Sequence, residues 1–418
     1  MTGLVELRRV LHARPELAFM EVETAARVVG ELSGRADRVE AGSSVCDLDV
    51  VAGLPGPDQL AAARERALTA GVPDDLVQTL GHGATGVVVT IHGRRPGPTI
   101  GVRFDLDAIA VEEDDGPSHL PAREGFASVH PGVMHACGHD GHVAVGIELG
   151  LRLCADRDFA GTAVLVFQPG EEGVRGARSM VAAGAVDDVE VMLGLHLGID
   201  LPTGTVAAGT SGLLATRKLR IELRGEAAHA ALAPHVGRNA LLGAAATSLA
   251  LHSLPPHGDH VTRVNVGRLV AGTAAGIVPG LAVLDCELRA DDEGVLAWLR
   301  GRAEDVVLGT ATAYGLDASV TELGAATVAR CDAELTDVLM ACAVSVPGVE
   351  TALERAPMRA SDDVTLLMAD VQSRGGLATF ALVGGSSPAP HHHPRFDVDE
   401  RSLTIAVDWL EASIRRGL

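Results

Sequence analysis

No stretch of this chain is long and apolar enough to span a bilayer. Hydrophobic residues make up 47 % of 418 positions, but their longest runs fall well short of a membrane helix. The opening residues M-T-G-L-V-E-L-R-R lack the apolar core of a secretory signal. Cysteine is sparse: six residues, at 46, 137, 154, 286, 331 and 342, with no C-x-x-C spacing. A disulfide framework is therefore not expected, and Cys137 is free to act as a thiolate. Positive charge is also short, with 34 Lys and Arg against 55 Asp and Glu, a formal balance of −21. A field of that sign repels phosphate backbones, which removes nucleic acid from the expected partners. Internal repeats and low-complexity tracts are absent. These absences predict a soluble cytoplasmic protein with no membrane partner. Its length exceeds one comfortable core, so two domains are expected.

Apolar positions recur at helical spacing over 4–11 and 21–32, and the Ala/Arg/Asp-rich stretch 52–80 predicts a helical insertion. The β-branched runs 86–92 and 99–106, joined by G-R-R-P-G-P, predict a hairpin. A helix is expected over 143–154, then strands over 162–168 and 191–195. Strands alternating with helices predict an α/β fold with a largely parallel sheet, its chemistry at strand ends. From 213 the order changes to strand 217–224, helix 239–254, strands 261–270 and 281–289, helix 295–312 and strand 318–323. This β-α-β-β-α-β order predicts a ferredoxin-like α+β domain. It spans 213–325, inserted into a discontinuous catalytic domain of 1–212 and 326–418. The latter resumes with a strand at 379–383 and a helix from Arg401.

What is abundant is metal-binding chemistry. Residues 134–142 read M-H-A-C-G-H-D-G-H, with three histidines, a cysteine and an aspartate in nine positions. Imidazole and thiolate suit zinc, while histidine and carboxylate also suit manganese or cobalt. F-Q-P-G-E-E-G at 167–173 follows a strand. Paired glutamates there can divide the work, one holding metal and the other taking a proton from bound water. L-G-L-H-L-G ends a strand at His196, and H-H-H-P-R-F-D-V-D-E runs over 391–400.

These four clusters, with L-R-R-V-L-H-A-R-P-E-L-A-F at Leu7, R-F-D-L-D-A-I at Arg103 and G-E-A-A-H-A at Gly225, resemble the M20 metallopeptidase family. The likeness is to its amidohydrolase branch of aminoacylases and auxin-conjugate hydrolases, and it covers nearly the whole chain. S-H-L-P-A-R-E-G-F-A-S at Ser118, E-E-G-V-R-G-A-R-S-M-V at Glu171, T-R-V-N-V-G at Thr262 and the insertion at 42–84 are most similar to the subfamily acting on p-aminobenzoyl-glutamate. The resemblance implies two divalent metal ions per subunit, Mn2+ or Zn2+, held by Cys137, His139, Glu172, His196 and His392. It implies Glu171 as general base and Asp105 as a carboxylate that orients a ligand histidine. His392 is favoured over His391 and His393 because it lies four residues before Phe396. His229 would stabilise the oxyanion in a neighbouring subunit's site, and Arg289 would grip the substrate carboxylate. The inserted domain becomes a lid that pairs the chain with itself or with a paralogous subunit.

The expected activity is cleavage of an N-acyl or N-aroyl amino acid, with auxin-type or aliphatic conjugates as alternatives. A non-catalytic partner subunit should have lost ligands or base, and none is missing. A metal-storage protein would leave the glutamate pair unexplained. Two positions depart from the family pattern: Gly276 stands where an asparagine is usual, and S-D-D at 361–363 replaces S-E-D.

Overall fold

In a computed structural model the described residues are 3–418; Met1 and Thr2, the start of the N-terminal stretch read above, lie outside them. The chain divides into two compact units, one running up to Gly212 and resuming at Ala329–Leu418, the other Leu213–Val328. The larger unit begins with β1 (Arg38–Ala41), β2 (Val87–His92), β3 (Arg95–Asp105), β4 (Ala160–Gln168), β5 (Val191–Leu197) and β6 (Thr205–Ser211). Its helices up to that point are α1 (Leu4–His12), α2 (Val22–Leu32), α3 (Pro57–Thr69), α4 (Asp74–Leu80), α5 (Leu120–Glu124), α6 (His139–Ala155) and α7 (Gly176–Ala182). The smaller unit holds β7 (Ala215–Arg224), β8 (Ala228–His229), α8 (Ala240–His252), β9 (Thr262–Ala271), β10 (Ile277–Val278), β11 (Leu281–Ala290), α9 (Glu293–Ala313) and β12 (Asp317–Ala326). The larger unit ends with α10 (Ala333–Ala343), β13 (Thr351–Pro357), α11 (Val364–Ser373), β14 (Leu377–Val383) and α12 (Arg401–Arg416).

The large sheet runs β1-β2-β4-β3-β5-β14-β6-β13. Its centre, β4-β3-β5-β14, is parallel, as the alternation of strands and helices predicts. Both faces of these strands are covered, so β5 is buried at every position rather than at alternate ones. Helix α6 packs against β3 and β4 through Gly146. A Cβ there would stand 2.7 Å from the rings of Phe104 and Phe167, so the missing side chain lets the helix approach. Burying rings of this size contributes about 2–3 kcal/mol each.

The predicted hairpin of 86–92 with 99–106 does not form. β4 lies between the two strands, antiparallel to β2 and parallel to β3. The connecting residues pass the start of β4 instead of folding β3 onto β2: Gly93 N–H donates to Gly161 O (2.9 Å) and Arg95 N–H to Phe159 O (3.3 Å). The 52–80 insertion is helical, as α3 and α4.

In the smaller unit the sheet order is β12-β7-β11-β9, antiparallel throughout. Ala282, Leu284, Cys286, Leu288 and Ala290 alternate inward along β11, and the unit has its own apolar core with α8 and α9. Each helix starts on a side-chain cap: Asn239 Oδ1 accepts from Leu242 N (3.1 Å) and Asp292 Oδ1 from Val295 N (3.0 Å). β8 and β10 form a separate two-stranded pair.

Candidate metal centre

Four neighbouring parallel strands deliver the cluster from their carboxyl ends, where open α/β sheets place their ligands. Asp105 ends β3, the Glu171–Glu172 pair follows β4, His196 lies near the end of β5, and the loop after β14 carries His392. Cys137 and His139 come from the start of α6, where Gly138 takes a left-handed φ of 92°.

The five candidate ligands converge. Ligating atoms of Cys137, His139 and His196 lie within 4.8 Å of one another, as do those of Cys137, Glu172 and His392, and those of His139, Glu171 and Glu172. Cys137 Sγ is 3.6 Å from His196 Nε2, and His392 Nε2 is 3.2 Å from Glu172 Oε1. His392 adopts φ 65°, and its N–H donates to Ala136 O at 2.7 Å, tying the C-terminal loop to the motif.

Backbone carbonyls settle which ring nitrogens stay open. His139 Nδ1 donates to Asp107 O (2.8 Å) and His196 Nδ1 to Leu197 O (2.8 Å), so each keeps its lone pair on Nε2. His139 Nε2 is buried without a hydrogen-bond partner, and Glu172 Oε1 has only the His392 contact. His142 is spent: its Nδ1 donates to Asp105 Oδ1 (2.5 Å) and its Nε2 accepts from Leu197 N (2.9 Å). His135 is buried beneath the motif, and burial holds its pKa down to about 3. In the C-terminal run, His391 packs on Phe396 with ring centroids 4.6 Å apart, and His393 Nδ1 accepts from Arg395 N (3.0 Å).

The cluster is short of positive charge. Burial, then Asp362 and Glu172, push Glu171 well above its ordinary pKa. Burial and Glu172 push the Cys137 thiol well above its own. Burial alone would lower His139, yet Asp105 and Cys137 carry it well above the usual imidazole range. A divalent cation would relieve all three shifts and satisfy the orphaned ring nitrogen. The donor set therefore fits such an ion.

Several residues of the site lie in motifs read above but received no role there. Asp107 accepts the N–H groups of Glu171 (3.0 Å) and Glu172 (2.9 Å), fixing the glutamate turn. Arg103, fully buried, faces Asp105, Asp362 and Asp363 and donates to Gln168 Oε1 (2.9 Å). For Arg103 the strand period of two in R-F-D-L-D is the one usable signal, because it puts Arg103 and Asp105 on one face of β3. Asp105 hydrogen-bonds His142, whereas the Asp107 carbonyl orients His139.

The two candidates in the smaller unit lie apart in its own fold. His229, on β8, accepts Ala231 N and Leu232 N at Nδ1 (3.2 Å each), leaving an exposed Nε2–H. Arg289, on β11, is paired with Glu287 at 2.9 Å.

Residues 101–416 match the model of peptidase family M20/M25/M40. The chain is 42 % identical over 410 residues to an indole-3-acetyl-aspartic acid hydrolase of Enterobacter agglomerans, covering 97 % of this chain and 94 % of that one. It is 40 % identical over 405 residues to one of the subunits of p-aminobenzoyl-glutamate hydrolase from Escherichia coli, covering 96 % and 93 %. A crystal structure of an aminobenzoyl-glutamate utilization protein from Klebsiella pneumoniae superposes with TM-score 0.85 at 37 % identity, over 98 % of this chain and 95 % of that one. A dinuclear metal-binding M20 peptidase from Bacillus subtilis superposes with TM-score 0.67 at 25 % identity, over 99 % and 96 %. This chain belongs to peptidase family M20/M25/M40 and is a hydrolase acting on amides.

Proposed function

We propose that the protein cleaves the amide bond of N-aroyl or N-acyl derivatives of acidic amino acids, with p-aminobenzoyl-glutamate or a similar conjugate as substrate. The observation that carries this reading is the meeting of five candidate ligands with a sixth group, Glu171, which is buried and adjacent to the ligand set. Relatives named for an aspartate and a glutamate conjugate support the acidic amino acid.

Two divalent ions, Mn2+ or Zn2+, would be held by Cys137 with His139 and His196 on one side and by Cys137 with Glu172 and His392 on the other. Bound there, such ions lower the pKa of a water and polarise the scissile carbonyl. Glu171 takes the proton of the attacking water and returns it to the leaving amine nitrogen. Asp107 keeps the base and its neighbour in register. His229 offers its Nε2–H to the developing oxyanion, and Arg289 binds the α-carboxylate. Gly276, whose carbonyl accepts from Ala230 N (2.9 Å), leaves open space beside His229 where an asparagine is usual.

The smaller unit acts as lid and pairing domain, joining a second copy or a paralogous subunit. Support comes from β9, the last strand of its sheet, with Val270 49 % and nearby Leu242 and Leu249 on α8 51 % and 73 % exposed. Six unbridged cysteines fit a cytoplasmic setting, and no described helix is long and apolar enough to cross a membrane. The test is hydrolysis by metal-reconstituted protein of a panel in which acyl group and amino acid vary independently. Aroyl conjugates of glutamate and aspartate should be cleaved fastest. No amide cleavage by fully metallated protein would reject the reading.

A further inference from the structure

The turn that carries the glutamate pair also carries a cation with no counter-charge. Arg103 and Arg8 each face three carboxylates, whereas Arg175 forms no ion pair among the described residues. Its Nη1 donates to Gly53 O (2.5 Å), and its guanidinium lies 5.0 Å from the centroid of the Phe19 ring. Among the described residues no acceptor meets Nε or Nη2, the pair of N–H groups that matches the two oxygens of a carboxylate. Burial lowers its pKa, with Asp107, Glu21 and Asp363 opposing only through space.

Backbone geometry folds the loop that bears this side chain onto the glutamate turn. Arg175 N (3.3 Å) and Gly176 N (3.1 Å) both donate to Gly170 O, so the loop closes on the residue that precedes Glu171. Closure forces Val174, a β-branched residue, to φ 53°, a conformation that persists only when its surroundings impose it. A Cβ on Gly173 would lie 2.7 Å from Arg175 Nε, so the guanidinium packs directly on the bare glycine of the turn. Strain, a close packing contact and an unpaired partly buried cation thus coincide four residues from the general base. An arginine placed only for solubility would need none of them.

We propose that Arg175 binds the side-chain carboxylate of the acidic amino acid in the substrate and so sets the preference for glutamate and aspartate conjugates. This rests on the amidohydrolase reading above.

Wild type, Arg175→Gln and Arg175→Lys, all metal-loaded, would be compared on p-aminobenzoyl-L-glutamate and its isostere p-aminobenzoyl-L-glutamine. Losing a charge-assisted pair should lower kcat/KM for the glutamate conjugate roughly 10- to 100-fold, mostly through KM. The glutamine conjugate should change less than about threefold, and lysine should restore part of the preference. Calorimetric binding of the glutamate conjugate to Glu171→Gln, with and without Arg175→Gln, should show the same loss without turnover. Equal losses on both conjugates would reduce Arg175 to a strut for the turn and overturn the proposal. Wild-type cleavage of both conjugates at equal kcat/KM would overturn it while leaving the amidohydrolase reading standing. Cleavage of neither would overturn both.

Discussion

Arg8 offers the sharpest test of how the candidate site is braced. It lies on α1 with its side chain fully buried. Its Nε is 2.7 Å from Asp140 Oδ2 and its Nη2 is 2.7 Å from Asp397 Oδ1, with Glu400 Oε1 3.6 Å from Nη1. Asp140 directly follows His139, and Asp397 lies five residues after His392, so one guanidinium ties together the two segments that bear these histidines. Arg8→Met keeps the bulk and leaves Asp140 and Asp397 buried without their cation. Breaking a buried pair in this way costs about 3–5 kcal/mol, a large share of the ~5–15 kcal/mol that holds a typical native protein. The pH dependence follows from the sign of the shift. Asp140 is held well below its ordinary pKa of 3.8 by Arg8 and His12, against the opposing effect of burial. Its contribution is therefore present above pH ~4 and lost as pH falls further. The deficit of Arg8→Met should be full at pH 7 and shrink toward pH 4, because burial without the cation raises the pKa of the stranded carboxylates and lets them protonate in that range. Urea unfolding of demetallated protein, followed by circular dichroism, reads this directly. Arg8→Met combined with Asp140→Asn and Asp397→Asn should recover part of the loss. A deficit below about 1 kcal/mol at pH 7, or one that grows on acidification, would refute the reasoning.

Other outcomes follow from the same geometry. Cys137→Ser replaces a thiolate shared by both ligand groups with a neutral hydroxyl, so metal content after dialysis should fall; unchanged stoichiometry would leave Cys137 a packing residue. Burial, then Asp107, raises Glu21 from 4.5 to about 8, so the folded carboxyl keeps a proton that the unfolded chain has released. Stability should fall as pH rises between those values, by up to ~1.4 kcal/mol per unit. Glu21→Gln, which can still accept from Gly170 N, should remove that slope, and parallel pH profiles for the two proteins would contradict the shift. If His229 completes a partner's site, mixing inactive His229→Ala with inactive Glu171→Gln should restore activity. Failure despite confirmed subunit exchange would confine His229 to its own chain.

Most elements are legible in the sequence because they carry strong local signals. The inward alternation along β11 and the β-branched content of β2 are examples. Pairing is less legible. G-R-R-P-G-P looks like a hairpin link, but nothing in 86–106 reveals that a strand from 160–168 intervenes. Strands β6 and β13 escape a reading by pattern because T-V-A-A-G-T-S and T-A-L-E-R-A-P lack continuous apolar runs. At the site, ligand-type residues advertise themselves by chemistry and spacing. Supporting groups do not: Arg8 meets Asp397 across 389 positions, and no local pattern records that ion pair. Arg103 looks like an ordinary strand arginine until the fold brings three buried carboxylates around it.

The account rests on Glu171 as the base beside a metal-binding donor set, and Glu171→Gln tests it with two readings on one sample. The amide keeps the shape of the side chain and cannot take a proton. Metal content should equal that of the wild type, while turnover of p-aminobenzoyl-glutamate should fall by about 10²- to 10⁴-fold. Near-wild-type turnover by the fully metallated variant would contradict the central claim.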